Sequence, residues 1–143
     1  VLTVLHEMGG REMRFLVLDG SHLLISIIKR ILDGQVDLEE VSTFDDALSA
    51  LEKRPPEAVI ANIGPDGLPW REFQDLCQGR SPKIPVLFES CVFHSPEEAG
   101  LGPLNHSCFF IEKPYHASDL KEQLERLVRY NEYKVKGSET PET

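Results

Sequence analysis

Phe15-Leu16-Val17-Leu18-Asp19-Gly20-Ser21 runs four apolar residues into a carboxylate, then turns through a glycine and a serine into a helical pattern. Leu23, Leu24, Ile27, Ile28, Ile31 and Leu32 recur there at helical spacing. Ser21 offers the hydroxyl of an N-cap, and Gly34 is a natural terminator. A buried strand that ends on an acid and turns at once into a helix places that acid where open α/β sheets carry their chemistry.

The pattern repeats outward from this unit. A short strand around Asp37 to Val41 leads to a helix from Thr43 to about Lys53, with Phe44, Ala47, Leu48 and Leu51 inward, and Pro55-Pro56 ends it. A third apolar run, Ala58-Val59-Ile60-Ala61-Asn62, ends on an amide. Gly64-Pro65-Asp66-Gly67 then turns the chain into a helix with Pro69 near its first position and Phe73 and Leu76 inward. Pro85-Val86-Leu87-Phe88-Glu89-Ser90 is a strand ending on a hydroxyl, and Phe109-Phe110-Ile111-Glu112 is one that runs into Lys113-Pro114-Tyr115. The last helix spans about Ser118 to Asn131, with Leu120, Leu124, Leu127 and Val128 on one stripe.

Strands alternating with helices at these spacings predict an α/β fold, a doubly wound five-stranded parallel sheet in the flavodoxin-like order 2-1-3-4-5. Its crevice lies between strands one and three, which makes Asp19 and Asn62 neighbours. One connection departs from the pattern. Ser95 to Asn105 should hold a fourth helix but contains Gly100, Gly102 and Pro103. These oppose helix by about 1 kcal/mol per Gly and about 3 kcal/mol for Pro, so a shortened or broken fourth helix is expected.

Taken in order, these segments resemble the receiver domain of two-component response regulators, the CheY-like fold, over residues 13–131. Lys113-Pro114-Tyr115 after Ser90 is the most specific part, and Leu18-Asp19 the second anchor. In that family two adjacent acids after the first strand hold Mg²⁺, an aspartate after the third accepts a phosphoryl group, and a hydroxyl and a lysine contact that group. Residue by residue, Asp19 matches the first acid, Gly20 replaces the second, Asn62 replaces the acceptor, Ser90 is the hydroxyl and Lys113 the amine. Phe110 matches the aromatic switch position three residues before the lysine. The acceptor loop reaches Pro65 one residue earlier than the commonest family spacing.

The departures decide what the resemblance implies. Phosphoryl acceptance on an aspartate needs an ionised carboxylate as nucleophile and a divalent ion, and an amide at Asn62 supplies no charge for either. Asp19 alone should hold Mg²⁺ weakly, so no cofactor is expected, and Lys113 should pair directly with Asp19. The expectation is an atypical, phosphorylation-independent receiver that is not an enzyme. It would signal in a two-component phosphorelay setting through protein contacts on its fourth helix, fifth strand and fifth helix, or form a homodimer through that face. Two alternatives stand beside it: an active phosphoacceptor using Asp66 or Asp19, and a small-ligand sensor in the vacated crevice.

The remaining features narrow the setting. A chain of 143 residues with 41% apolar content suits one globular domain, and a net charge of −9 disfavours nucleic acid, whose phosphates require clustered Lys and Arg. No apolar run is long enough to span a bilayer, no signal-peptide pattern opens the chain, and the cytoplasm is the expected compartment. Residues 1–12 read as an extension outside the fold and residues 132–143 as a polar tail. Cys77, Cys91 and Cys108 read as reduced thiols. Cys91-x-x-His94 and His106-x-Cys108 look like a zinc set, but a strand of about five residues at roughly 3.3 Å each would hold the pairs at opposite edges. His22 reads as a solvated helix start. Trp70, Tyr130 and Tyr133 could add apolar surface for a partner.

Overall fold

The structure is a computed structural model that describes residues 13–32 and 36–135, with side chains through residue 132. The expected extension 1–12, Gly34, Tyr133 and residues 136–143 of the tail lie outside these limits. The elements are β1 (Met13–Leu18), α1 (His22–Ile31), β2 (Val36–Val41), α2 (Phe44–Lys53), β3 (Ala58–Asn62), α3 (Trp70–Gln78), β4 (Val86–Ser90), β5 (Cys108–Glu112) and α4 (Ala117–Val135). The sheet is parallel throughout and has the order β2-β1-β3-β4-β5. The final helix runs on through residues 132–135, beyond the boundary expected at Asn131.

Burial on both faces explains why the central strands β1, β3 and β4 are largely apolar runs without polar alternation, whereas the edge strand β2 carries Asp37, Glu39 and Glu40. All six residues of β1 and all five of β4 are buried. Phe15, Val17, Ile60 and Leu87 face α1 and α4, where they meet Leu24, Ile28, Leu120, Leu124 and Leu127. Leu16, Val59, Ala61 and Phe88 face α2 and α3. There Phe44, Trp70, Phe73 and Phe88 form an aromatic cluster with ring centroids 4.9 to 6.0 Å apart. Ser21 caps α1 by accepting from Leu24 N–H, and Thr43 caps α2 by accepting from Asp46 N–H, each at 3.1 Å.

Helix faces differ from the expected stripes at two positions. Leu23 is 73% exposed because Leu24, Ile25, Ile28 and Leu32 form the buried arc of α1, leaving Leu23 one step around the helix. Leu76 is 50% exposed because Trp70, Phe73, Gln74 and Cys77 fill the inner face of α3. Trp70 and Tyr130 are buried, so neither supplies partner surface.

In place of a fourth helix the β4–β5 connection makes one turn. Ser95 caps it through Glu98 N–H, and Ala99 N–H donates to Ser95 O. Gly100, at φ +79°, closes it with bonds from Gly100 N–H to Glu97 O and Leu101 N–H to Pro96 O, the paired bonds of a helix C-terminus. Beyond it Gln74, buried in α3, grips the backbone of Gly102. Its Oε1 accepts from Gly102 N–H at 2.7 Å and its Nε2 donates to Gly102 O at 3.3 Å. Asn105, Ser107 and Gln78 tie the end of the connection to α3. Gln74→Ala should leave the buried Gly102 amide unpaired and cost about 1 to 3 kcal/mol, with faster amide exchange confined to residues 100–108. Urea unfolding with residue-resolved hydrogen exchange checks both.

Candidate functional site

At the carboxyl end of the sheet, strand ends and the loop after β5 bring five side chains together. Asp19 follows β1 directly. Its Oδ1 accepts from Ser21 N–H at 2.8 Å, and its Oδ2 accepts from Lys113 Nζ at 2.9 Å. Asn62 closes β3, and its Oδ1 accepts from the same ammonium at 3.1 Å. Glu89, in register with Asn62 on β4, places Oε1 3.0 Å from Lys113 Nζ, within ion-pair distance but outside hydrogen-bond geometry. Tyr115 OH donates to Glu89 Oε2 at 3.3 Å. The Lys113–Pro114 peptide is cis, and Lys113 N–H donates to Ser90 O at 2.7 Å, fixing the loop to β4.

The expected Asp19–Lys113 pair is therefore present, and Asn62 and Glu89 share it. Ser90 is adjacent but turned elsewhere. Its hydroxyl donates to Ile63 O at 2.8 Å and accepts from Val92 and Phe93 N–H at 3.1 and 3.0 Å. A hydroxyl has one proton to give and two lone pairs to accept with, so Ser90 is saturated. Gly20 is exposed, and a Cβ added there meets nothing within 4 Å, so the lost acid leaves open space. Asp66 is exposed and accepts from Leu68 N–H at 3.4 Å, the side-chain turn its Asp-Gly context suggests. Phe110 is half-buried against the α2 and α3 side of the core.

A crevice of about 390 Å³ opens beside this cluster, lined by Asp19, Thr43, Asp45, Asn62, Asp66 and Trp70 among others. Among the described residues no three His, Cys, Asp or Glu side chains are grouped to hold a metal ion. Cys91 follows β4 while Cys108 opens β5, so their two edges of the sheet differ as strand geometry requires. His94 pairs instead with Glu112, which raises its pKa, and His22 is exposed at the start of α1. Burial pushes the Cys77 thiol up to about 12 and the Cys108 thiol to about 11.

Glu89 is the residue that the strand pattern did not single out as part of the site. A charged side chain inside a run that must be buried on both faces needs a partner, and that was its signal. Burial and the neighbouring Asp19 carboxylate push its pKa up to about 8, against the pull of Lys113. Burial alone would raise Asp19, but the neighbouring Glu89 carboxyl, the Lys113 ammonium and the Ser21 amide outweigh it and hold the carboxyl below its ordinary range. Burial would likewise lower Lys113, yet the two carboxylates beside it keep its pKa raised.

No family model and no curated protein matches the chain. Solved structures do. The signal receiver domain of a LuxO repressor protein from Vibrio parahaemolyticus superposes with a TM-score of 0.66 at 18% identity, covering 87% of this chain and 95% of that one. The chemotaxis response regulator CheY4 of Vibrio cholerae gives 0.61 at 19% identity, covering 82% and 99%. NtrX from Brucella abortus, in a complex with ADP, gives 0.66 at 25% identity, covering 89% of this chain but 29% of that longer one. The fold is that of a response-regulator receiver domain, and it carries an amide and a glycine at two positions where the resemblance called for acids.

The site makes stability depend on pH. The folded state holds a proton on Glu89 up to about pH 8, whereas the unfolded chain releases it near its ordinary value of 4.5. The folded state therefore binds more protons across that window, so stability falls as pH rises. The contribution of Glu89 is complete below the lower value and lost above the upper one. Unfolding free energies measured from about pH 5 to 9 should decline more steeply in the wild type than in Glu89→Gln.

Proposed function

We propose that this receiver domain works in two-component signalling without phosphorylation and passes its signal through protein contacts. The observation that carries this reading is Asn62 at the acceptor position, its amide oxygen hydrogen-bonded to Lys113. An amide oxygen is a weak nucleophile and gives no stable phosphoryl ester at neutral pH. Ser90, saturated by three hydrogen bonds, would have to give them up to reach an incoming group. The domain has no catalytic role of its own on this reading, takes no Mg²⁺ and works in the cytoplasm. Among the described residues no helix is long and apolar enough to cross a membrane.

The surface for a partner is the face made by the remodelled β4–β5 connection, β5 and α4, the segment where this chain departs most from a five-helix receiver. Leu104 is 44% exposed on it. A second copy of the chain is the other occupant that this face suits. The open crevice supports a second reading, a small-ligand sensor, because its volume remains free beside Asn62.

Incubation with Mg²⁺ and acetyl phosphate, or with beryllium fluoride, tests the first reading. Intact mass should show no adduct, and amide signals around Ser90 and Phe110 should not shift. An acid-labile adduct mapping to Asp66 or Asp19 would restore the phosphoacceptor alternative. A saturable rise in Tm on screening small metabolites would favour the sensor.

A further inference from the structure

The resemblance implies a divalent ion beside the acceptor, and the donor set in this crevice does not fit one. Of the three carboxylates the resemblance calls for, Asp19 remains, and each of its oxygens already accepts a hydrogen bond, from Ser21 N–H and from Lys113. The Asn62 amide oxygen points at the same ammonium. Glu89 Oε1, fully buried and without a hydrogen bond, lies 3.0 Å from it. Oxygens carried at the ends of β1, β3 and β4 thus gather around one Nζ. Hard oxygens grouped in this way are the donors small divalent cations take, but here the positive charge is tethered to the chain.

We propose that the Lys113 ammonium is the resident cation of this crevice, and that removing it uncovers a divalent-cation site made by Asp19, Asn62 and Glu89. The inference rests on the phosphorylation-independent reading and deepens it. A tethered ammonium needs no dehydration of a free ion, which Mg²⁺ resists, and it brings one positive charge rather than two. It also repels any second cation that approaches the same oxygens. Glu89 has a definite part in this. Lying in β4 opposite Asn62, it supplies the carboxyl oxygens that neither Gly20 nor Asn62 provides, from the neighbouring strand and not from the family positions. The cation requirement of the strand ends is met from within, by a residue three positions after Phe110.

Mn²⁺ and Mg²⁺ are the probes, Mn²⁺ read by water-proton relaxation and Mg²⁺ by the shift in Tm. Wild type should show no saturable binding of either ion. Lys113→Met, which keeps the length and loses the charge, should bind Mn²⁺ saturably and at least about tenfold tighter than the limit set by wild type, equivalent to about 1.4 kcal/mol. Lys113→Arg should stay silent because it retains a cation. Lys113→Met with Glu89→Gln should lose the gain. If Lys113→Met does not fold, Lys113→Gln takes its place.

Tight Mn²⁺ binding by wild type overturns the inference, and so does the absence of any gain in the charge-neutral variants. Equal binding with and without Glu89→Gln removes Glu89 from the site and overturns the proposed donor set. These outcomes are separate from the phosphoryl test. An adduct on the wild-type protein sinks the phosphorylation-independent reading, whereas a silent Lys113→Met sinks the resident cation alone.

Discussion

Burying a parallel sheet on both faces removes water from every central strand, so polar side chains can gather at the strand ends and must satisfy one another there. Here the Lys113 ammonium does most of that work. It joins Asp19 after β1, Asn62 at the end of β3 and Glu89 in β4, while its own backbone is tied to Ser90. Taking Lys113 away would leave the Asp19 carboxylate with little solvent around it, because that side chain is 4% exposed. A cluster of this kind defines one arrangement of the strand ends more strongly than it adds stability, since the desolvation of three ionisable groups offsets most of their attraction.

Much of the fold was legible because each element carries an independent local signal. Ser21 and Thr43 read as caps and act as caps. The continuous apolar runs read as strands buried on both faces, and the resulting strand order follows. What periodicity could not resolve was which side of an apolar stripe faces inward. Leu23 and Ile25 both fit a helical repeat, and the sheet beneath α1 selects Ile25. The Asp19–Lys113 pair was legible because the resemblance placed both residues at the crevice, and the replacement of the other two acids by Gly20 and Asn62 left Asp19 as the charge there for the ammonium. Glu89 escaped for the converse reason. It lies one residue before Ser90 in a strand, so attention to strand-end positions passed over it, although its charge in a doubly covered sheet marked it.

The β4–β5 connection shows how a segment with poor helix propensity is still given one structure. Gly100, Gly102 and Pro103 deny it a helix, yet its backbone polar groups must be paired where they are covered. The turn after Ser95 meets part of that need locally. Gln74 meets the rest from α3, presenting to Gly102 the same donor and acceptor that a neighbouring strand would. Gln78, Asn105 and Ser107 extend the same polar contact toward β5. The face beside β5 is thus built from backbone held by glutamines of α3, and its shape depends on packing against that helix.

Coupling between the crevice and that face has one short covalent and hydrogen-bonded route. Ser90 holds Lys113 N–H through its carbonyl and holds Ile63, Val92 and Phe93 through its hydroxyl. Val92 and Phe93 lead directly into the turn that replaces the fourth helix, and His94, the next residue, pairs with Glu112 at the end of β5. A displacement of that turn by a partner would strain the hydroxyl's bonds before it reached Lys113, and a displacement of Lys113 would strain the carbonyl's bond first. The Ser90–Ile63 bond is buried, and breaking it without replacement costs about 1 to 3 kcal/mol, whereas the bonds to Val92 and Phe93 are partly buried and open to water.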